Sequence, residues 1–198
     1  MFKILTPQDS DLRLQFKTLL QSVQVPSIAD PNVLVAPKYV IFTELPETLD
    51  DKGENIDVLR SPADVVTLSN GDTYERINAW VITSLPVKQT KVATDQRGQQ
   101  TFSSLAPKTQ GKVEVERKFR LMYFKGFGEG EMRTAVETDA VRRYFNERAK
   151  LGFTSPAADF VVRHNGLQEV FSDSGEYGDT MAYLKVFEIT VYLYETYN

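Results

Sequence analysis

The chain has 198 residues, a formal net charge of −4, no cysteine and a single histidine. Its length can bury one sizeable core, while the acidic balance excludes a general basic field for nucleic acid or an anionic membrane. The lack of cysteine excludes disulfides, thiolate metal sites and thiol nucleophiles; the apolar runs are too short to cross a bilayer, and residues 1–6 lack the apolar stretch of a secretory leader.

Thr6 and Pro7 predict a helix start, because a threonine hydroxyl can accept from free first-turn amides and proline gives up an amide that has no partner there. Leu12, Phe16, Leu19, Leu20 and Val23 then form one apolar stripe at helical spacing. Pro26 and Pro31 end this segment, and residues 38–43 follow as a short apolar strand. Residues 44–57 carry Glu44, Glu47, Asp50, Asp51, Glu54 and Asp57 against Lys52 alone. A calcium loop needs ligands at alternate positions around its glycine, and Lys52 and Gly53 stand where ligands belong, so a solvated acidic loop is expected instead of a metal site.

Residues 63–69 and 72–83 flank Asn70-Gly71 and predict a hairpin, since this pair readily takes positive φ. Trp80, between Ala79 and Val81, is expected in the core or on the sheet and not as a ligand platform. Residues 86–111 form a long connection in which Lys88, Lys91, Arg97 and Lys108 meet only Asp95. Such loops are usually functional or disordered. One expectation is a mobile tip; the other is an arm ordered against a neighbouring subunit, its cations meeting an acidic surface such as residues 44–57.

Residues 112–125 alternate with the same period of two, with Val113, Val115, Phe119, Leu121 and Tyr123 on one face. The run Gly126-x-Gly-x-Gly130 departs from the dinucleotide spacing, and Glu129 and Glu131 would repel a pyrophosphate, which leaves a turn before a helix. Thr134 and Glu137 have the spacing of a capping box. Val141, Tyr144, Phe145 and the Arg148 stem share a helical face, acids precede bases along it, and Gly152 is the expected stop. Residues 159–163 and 167–171 around His164-Asn-Gly166 predict a second hairpin, and residues 173–179 a polar connection.

The closing residues 183–197 set Phe187, Ile189, Val191 and Leu193 against Glu188, Thr190, Tyr192 and Tyr194. At ~3.3 Å per residue this strand could reach about 50 Å, past an ordinary core, and the 112–125 strand is its natural partner. The expected fold is one α+β domain over residues 1–198, a mainly antiparallel sheet with long strands against two amphipathic helices, with a flexible or intersubunit arm at 86–111. Tyr192, Tyr194 and Tyr197 are either anchors for another protein or covered by a helix.

No serine elbow, phosphate loop or multi-histidine site is present, so the expectation is a non-enzyme without cofactor or metal. An alternative of another class is a carboxylate-dependent hydrolase using Asp173, Glu176 and Asp179, or a ligand- or peptide-binding module using the tyrosine face. The order of elements, with the strands at Lys112 and Tyr183 and the closing Phe-Glu-Ile-Thr-Val-Tyr-Leu run, resembles the neck and tail-completion proteins of tailed bacteriophages, especially tail terminators. Tail-tube and head-tail adaptor subunits are the alternatives within that resemblance. It implies a virion protein assembled in the host cytoplasm as a homo-oligomeric ring, commonly a hexamer, that halts tube growth and docks the head-tail connector. It further implies a protein interface at Tyr192, Tyr194, Tyr197, Lys88, Lys91, Arg97 and Lys108. Glu47, Asp50, Asp51 and Glu54 would then face a channel through which DNA passes.

Overall fold

The computed structural model describes residues 8–46, 56–86, 111–127, 130–148, 150–155, 158–177 and 180–197. Two helices and one large sheet dominate it: α1 (Asp9–Ser22), β1 (Val25–Pro26), β2 (Leu34–Val35), β3 (Val40–Phe42), a 3-10 turn (Ile56–Leu59), β4 (Arg60–Thr67), β5 (Thr73–Leu85), β6 (Gly111–Gly126), α2 (Gly130–Asn146), β7 (Lys150–Ser155), β8 (Ala158–His164), β9 (Gln168–Tyr177) and β10 (Thr180–Tyr197). The α+β expectation holds. The sheet is mixed, however: β3 runs parallel to β5, with Ile41 opposite Trp80, while the other pairings within it are antiparallel.

The spine of the sheet is β5, β6 and β10. The expected partnership of the two longest strands is present, with an unbroken antiparallel register from Ala182 opposite Gly126 to Tyr197 opposite Gly111. Period-two alternation sends Phe119, Leu121 and Tyr123 of β6, Phe187, Ile189, Val191 and Leu193 of β10, and Trp80 and Ile82 of β5 into one core with both helices. From α1 come Leu12, Phe16 and Leu20, and from α2 Val141 and Phe145. Phe16 packs on Phe119 with ring centres 5.1 Å apart, and Trp80 stacks on Tyr123 at 4.7 Å. The opposite sheet face carries a smaller cluster at one end, where Ile77, Ala79, Val81, Phe124 and Ala182 meet Ile56 and Leu59 of the 3-10 turn.

Several local expectations are corrected. Helix α1 begins at Asp9, with the Asp11 carboxylate accepting the Gln8 amide at 3.0 Å, while Thr6 and Pro7 lie outside the described residues. Helix α2 begins at Gly130, so Thr134 and Glu137 are buried inside it and cap nothing; it stops at Asn146, and Gly152 belongs to β7. The β4–β5 hairpin is present, but its connection is three residues between Leu68 and Asp72, and only Gly71 has positive φ (90°). That is a type I turn closed by a left-handed glycine, which Leu68 and Gly71 complete through the Gly71 amide and Leu68 carbonyl at 3.0 Å.

The expected hairpin at His164-Asn-Gly166 is not one. Strands β8 and β9 both pair antiparallel with the same edge of β10, β8 at Val191 and Tyr192 and β9 from Thr180 to Glu188. They are one edge interrupted by a bulge, because Asn165 keeps its place in the ladder: its amide donates to Thr190 O at 3.1 Å and its side-chain oxygen accepts the Thr190 amide at 2.8 Å. Gly166, at φ 88°, then turns Leu167 into the core, where Asn146 Oδ1 accepts the Leu167 amide at 2.7 Å. The true reversal joins β7 to β8, whose register runs from Lys150 opposite Arg163 to Ser155 opposite Ala158. Residues 173–177, expected as a polar connection, are the second half of β9. No helix among the described residues is long and apolar enough to cross a membrane.

Candidate functional site

Two parts of the molecule hold more chemistry than packing requires. The first is the polar end of the sheet face that both helices leave uncovered. Cross-strand pairing places Glu188 opposite Arg120, 2.9 Å from its guanidinium, and the Lys118 ammonium meets the same carboxylate. Hydrogen bonds from Lys118 and Arg120 hold the Glu188 carboxyl below the ordinary carboxylate range, overcoming partial burial. Tyr192 is half-buried on this face, paired across to Arg163, whose guanidinium lies 6.0 Å from the ring centre. The tyrosine is therefore not roofed by a helix, since both helices pack on the other face.

Beyond this point the sheet narrows. Strand β5 accompanies β6 only from Lys118 to Lys125, and β8 leaves β10 at Tyr192. Residues 111–115 and 193–197 pair only with one another among the described strands, a ribbon about 16 Å long. Tyr194 and Tyr197 take part through their backbones, opposite Glu114 and Gly111; their side chains lie outside what the structure describes. The arm residues Lys88, Lys91, Arg97 and Lys108 and the acidic residues Glu47, Asp50, Asp51 and Glu54 also lie outside the described residues. Of the acidic segment, Glu44 and Asp57 are described; Glu44 is exposed, and Asp57 forms an exposed ion pair with Arg60 at 2.7 Å.

The second part is a buried ionic cluster under α2. Asp64 of β4 is wholly buried, with Oδ1 accepting from Arg76 Nε at 3.1 Å and Nη2 at 2.6 Å. Its Oδ2 accepts from Asn78 Nδ2 at 2.8 Å and Lys125 Nζ at 3.1 Å. Lys125, 1% exposed, also lies 3.5 Å from Glu137 Oε2. Glu137 Oε1 accepts from Arg133 Nε one helical turn earlier at 2.8 Å, and the Tyr123 hydroxyl donates to Oε2, with Asn78 Oδ1 3.1 Å away. Arg133 Nη1 donates to Pro26 O at 2.5 Å and so ties α2 to β1.

The electrostatics follow from these contacts. Burial pushes the Asp64 carboxyl upward, but the Lys125 charge and hydrogen bonds from Arg76, Asn78 and Lys125 outweigh it and leave it below its ordinary value. For Tyr123 burial and then the Glu137 charge act in the same direction and raise the phenol well above its ordinary value; Tyr39 is raised for the same two reasons. Arg76, Lys125 and Arg133 thus gather around Asp64 and Glu137 in a site largely withdrawn from water. Above them opens a cavity of about 290 Å³, lined by Asp64, Lys125, Arg133 and Glu137 below and by the β1–β2 segment on its apolar side.

Neither Asp64 nor Lys125 stands out in the sequence, and Glu137 stands out there only as half of a capping box, yet strand parity carried a signal. Lys125 continues the face of Phe119, Leu121 and Tyr123, and Asn78 continues that of Trp80 and Ile82, so both had to enter the helix-covered side.

The remaining sequence candidates are dispersed. Asp173 and Glu176 are exposed on β9, and Asp179 lies outside the described residues. His164 is structural: one ring nitrogen bonds Arg148 O and the other accepts the Gly166 amide at 3.0 Å. Among the described residues no group of three metal-ligating side chains assembles. No protein-family model matches the chain, and no curated protein matches it.

Proposed function

We propose that the chain is a structural subunit of a tailed-phage tail or neck, a ring-forming tail terminator that caps the tail tube and presents a docking surface to the head-tail connector. The observation that carries this reading is the β6–β10 ribbon, which runs past every other described strand. A two-stranded ribbon is marginal in water unless a third element covers it. A neighbouring subunit supplies that cover, and the half-buried Tyr192 with the Lys118–Glu188–Arg120 ladder gives the face polar specificity at the ribbon's base. Strand β9 adds apolar side chains to an outer edge, with Val170 and Phe171 each about half exposed. The wanted interface is head-to-tail, because the ribbon of one copy meets a different surface of the next, and such contacts close into rings when the rotation permits.

The test is native mass spectrometry of the chain alone and with a candidate tail-tube protein, followed by negative-stain microscopy of tubes. A discrete ring, hexameric by expectation, bound at one tube end is the supporting result. A chain that stays monomeric at high concentration and also leaves tubes undecorated overturns the proposal.

A further inference from the structure

The bulge at Asn165-Gly166 brings together three groups whose chemistry goes beyond holding the sheet edge. An asparagine followed by glycine can close on itself, because the glycine nitrogen has no Cβ beside it and lies one five-membered ring away from the asparagine Cγ. That closure has two demands: the amide must give up its proton, and the side-chain oxygen must take on negative charge. Both are met here. His164 Nε2 contacts Arg148 O, which can only accept, so Nε2 carries the imidazole proton and Nδ1 keeps its lone pair. The Gly166 amide donates to that lone pair at 3.0 Å, within the reach of a positioned base. The Thr190 amide donates to Asn165 Oδ1 at 2.8 Å, where an oxyanion donor belongs. Asn165 is exposed, so a leaving group departs directly into water.

We infer that Asn165 is a self-modification site, converted through a succinimide to aspartate and isoaspartate with His164 as the base. His164 Nδ1 takes the Gly166 amide proton, the Gly166 nitrogen bonds Asn165 Cγ, and the Thr190 amide receives the negative charge on Oδ1. Collapse breaks the bond from Cγ to Nδ2, and the leaving nitrogen takes the proton from His164 and departs as ammonia. Solvent water then opens the ring at either carbonyl. The isoaspartate product carries one extra carbon in the backbone of the bulge, between the Thr190 anchor and Leu167. Asn70-Gly71 is the internal contrast. Its Asn70 Oδ1 also accepts a backbone amide, from Asp72 at 3.1 Å, but the Gly71 amide donates to the Leu68 carbonyl at 3.0 Å, which is far too weak a base to take the proton.

The test follows both sites in the full chain by peptide mapping and mass spectrometry during incubation at neutral pH, reading the change from amide to acid. Hydroxylamine in a parallel sample cleaves the chain wherever the succinimide forms. In the folded chain Asn165 should convert faster than Asn70, and in concentrated urea, where only the shared Asn-Gly pair remains, Asn165 should slow and the two rates converge. His164→Asn keeps an oxygen able to accept the Gly166 amide but removes the basic nitrogen. With native Trp80 emission confirming its fold, this variant should slow Asn165 at least about tenfold and leave Asn70 unchanged, since a positioned base typically supplies about 10²–10⁴. Conversion of folded Asn165 no faster than Asn70, no slowing of Asn165 in urea, or a smaller effect of His164→Asn would each overturn the assignment. If that variant fails to fold, the comparison of folded and unfolded parent chain decides by itself. None of these rates depends on ring formation, so this inference and the assembly proposal stand or fall separately.

Discussion

Replacing Lys125 by methionine tests the ionic cluster directly. The side chain is 1% exposed and its ammonium sits 3.1 Å from Asp64 Oδ2 and 3.5 Å from Glu137 Oε2. Methionine fills nearly the same volume, so the change is chiefly electrostatic. Removing one member of a buried ionic set costs about 3–5 kcal/mol, because its partner charge stays desolvated. Asp64 keeps Arg76 and Asn78, and Glu137 keeps Arg133 and Tyr123, which places the loss near the lower end, about 3 kcal/mol. For a chain of this size that corresponds to about 6–12 °C in Tm. Urea unfolding followed by Trp80 emission, with calorimetry alongside, measures it. Asp64→Asn combined with Lys125→Met should cost less than the sum of the two single changes, since each relieves what the other leaves unpaired. A loss below about 1 kcal/mol for Lys125→Met, or strict additivity in the double variant, would refute the account. The pH dependence has a defined sign. Because the Asp64 carboxyl is depressed in the folded state, its contribution is present above about pH 4 and is lost as pH falls through its lower folded value. Lys125→Met should flatten that acid limb.

Three further outcomes are expected. Tyr192→Ser with Tyr194→Ser should leave the unfolding free energy within about 1–2 kcal/mol of the parent while weakening the proposed ring assembly, and an unfolded double variant would show that the tyrosine face is core. Gly166→Ala should destabilise by about 1–2 kcal/mol, more than Gly71→Ala, in paired thermal melts. Both glycines have positive φ, but a Cβ at 166 would stand 3.0 Å from Asn146 Oδ1, whereas at 71 it meets open space; equal losses would refute the steric argument. In alkaline titration, Tyr39 and Tyr123 should stay protonated above pH 10 while the chain is folded. Their contribution is present below about pH 10 and lost as pH rises toward the raised folded values, so tyrosinate absorbance from these two should appear together with unfolding; ionisation near pH 10 in the folded protein would count against their burial beside Glu137.

Regular periodicity made much of the architecture legible in the sequence. The stripe of Leu12, Phe16 and Leu20 and the alternation of residues 112–125 against 183–197 needed only local geometry, since a helix or a half-buried strand leaves its period in the order of residues. Where a pattern is short, local rules named the right residue and the wrong use. Asn165-Gly166 has the composition of a hairpin turn, but the free edge of β10 at Thr190 offered both its amide and its carbonyl, and the chain took a bulge instead. Thr134 and Glu137 have capping-box spacing, yet α2 starts earlier because Glu137 finds Arg133, Tyr123 and Lys125 in the interior.

The ionic cluster shows the division most clearly. By itself the sequence determined which strand face each residue joins, and that rule already sent Asn78 and Lys125 inward. Only the tertiary structure decided that Asp64, 61 positions before Lys125, would stand 3.1 Å from its ammonium. The same holds for the parallel placement of β3 on β5 and for the narrowing of the sheet, among the described strands, to the β6–β10 pair. Period and propensity act over a few residues, whereas strand partners and buried charge pairs are selected by a global competition to cover apolar faces and satisfy every desolvated polar group.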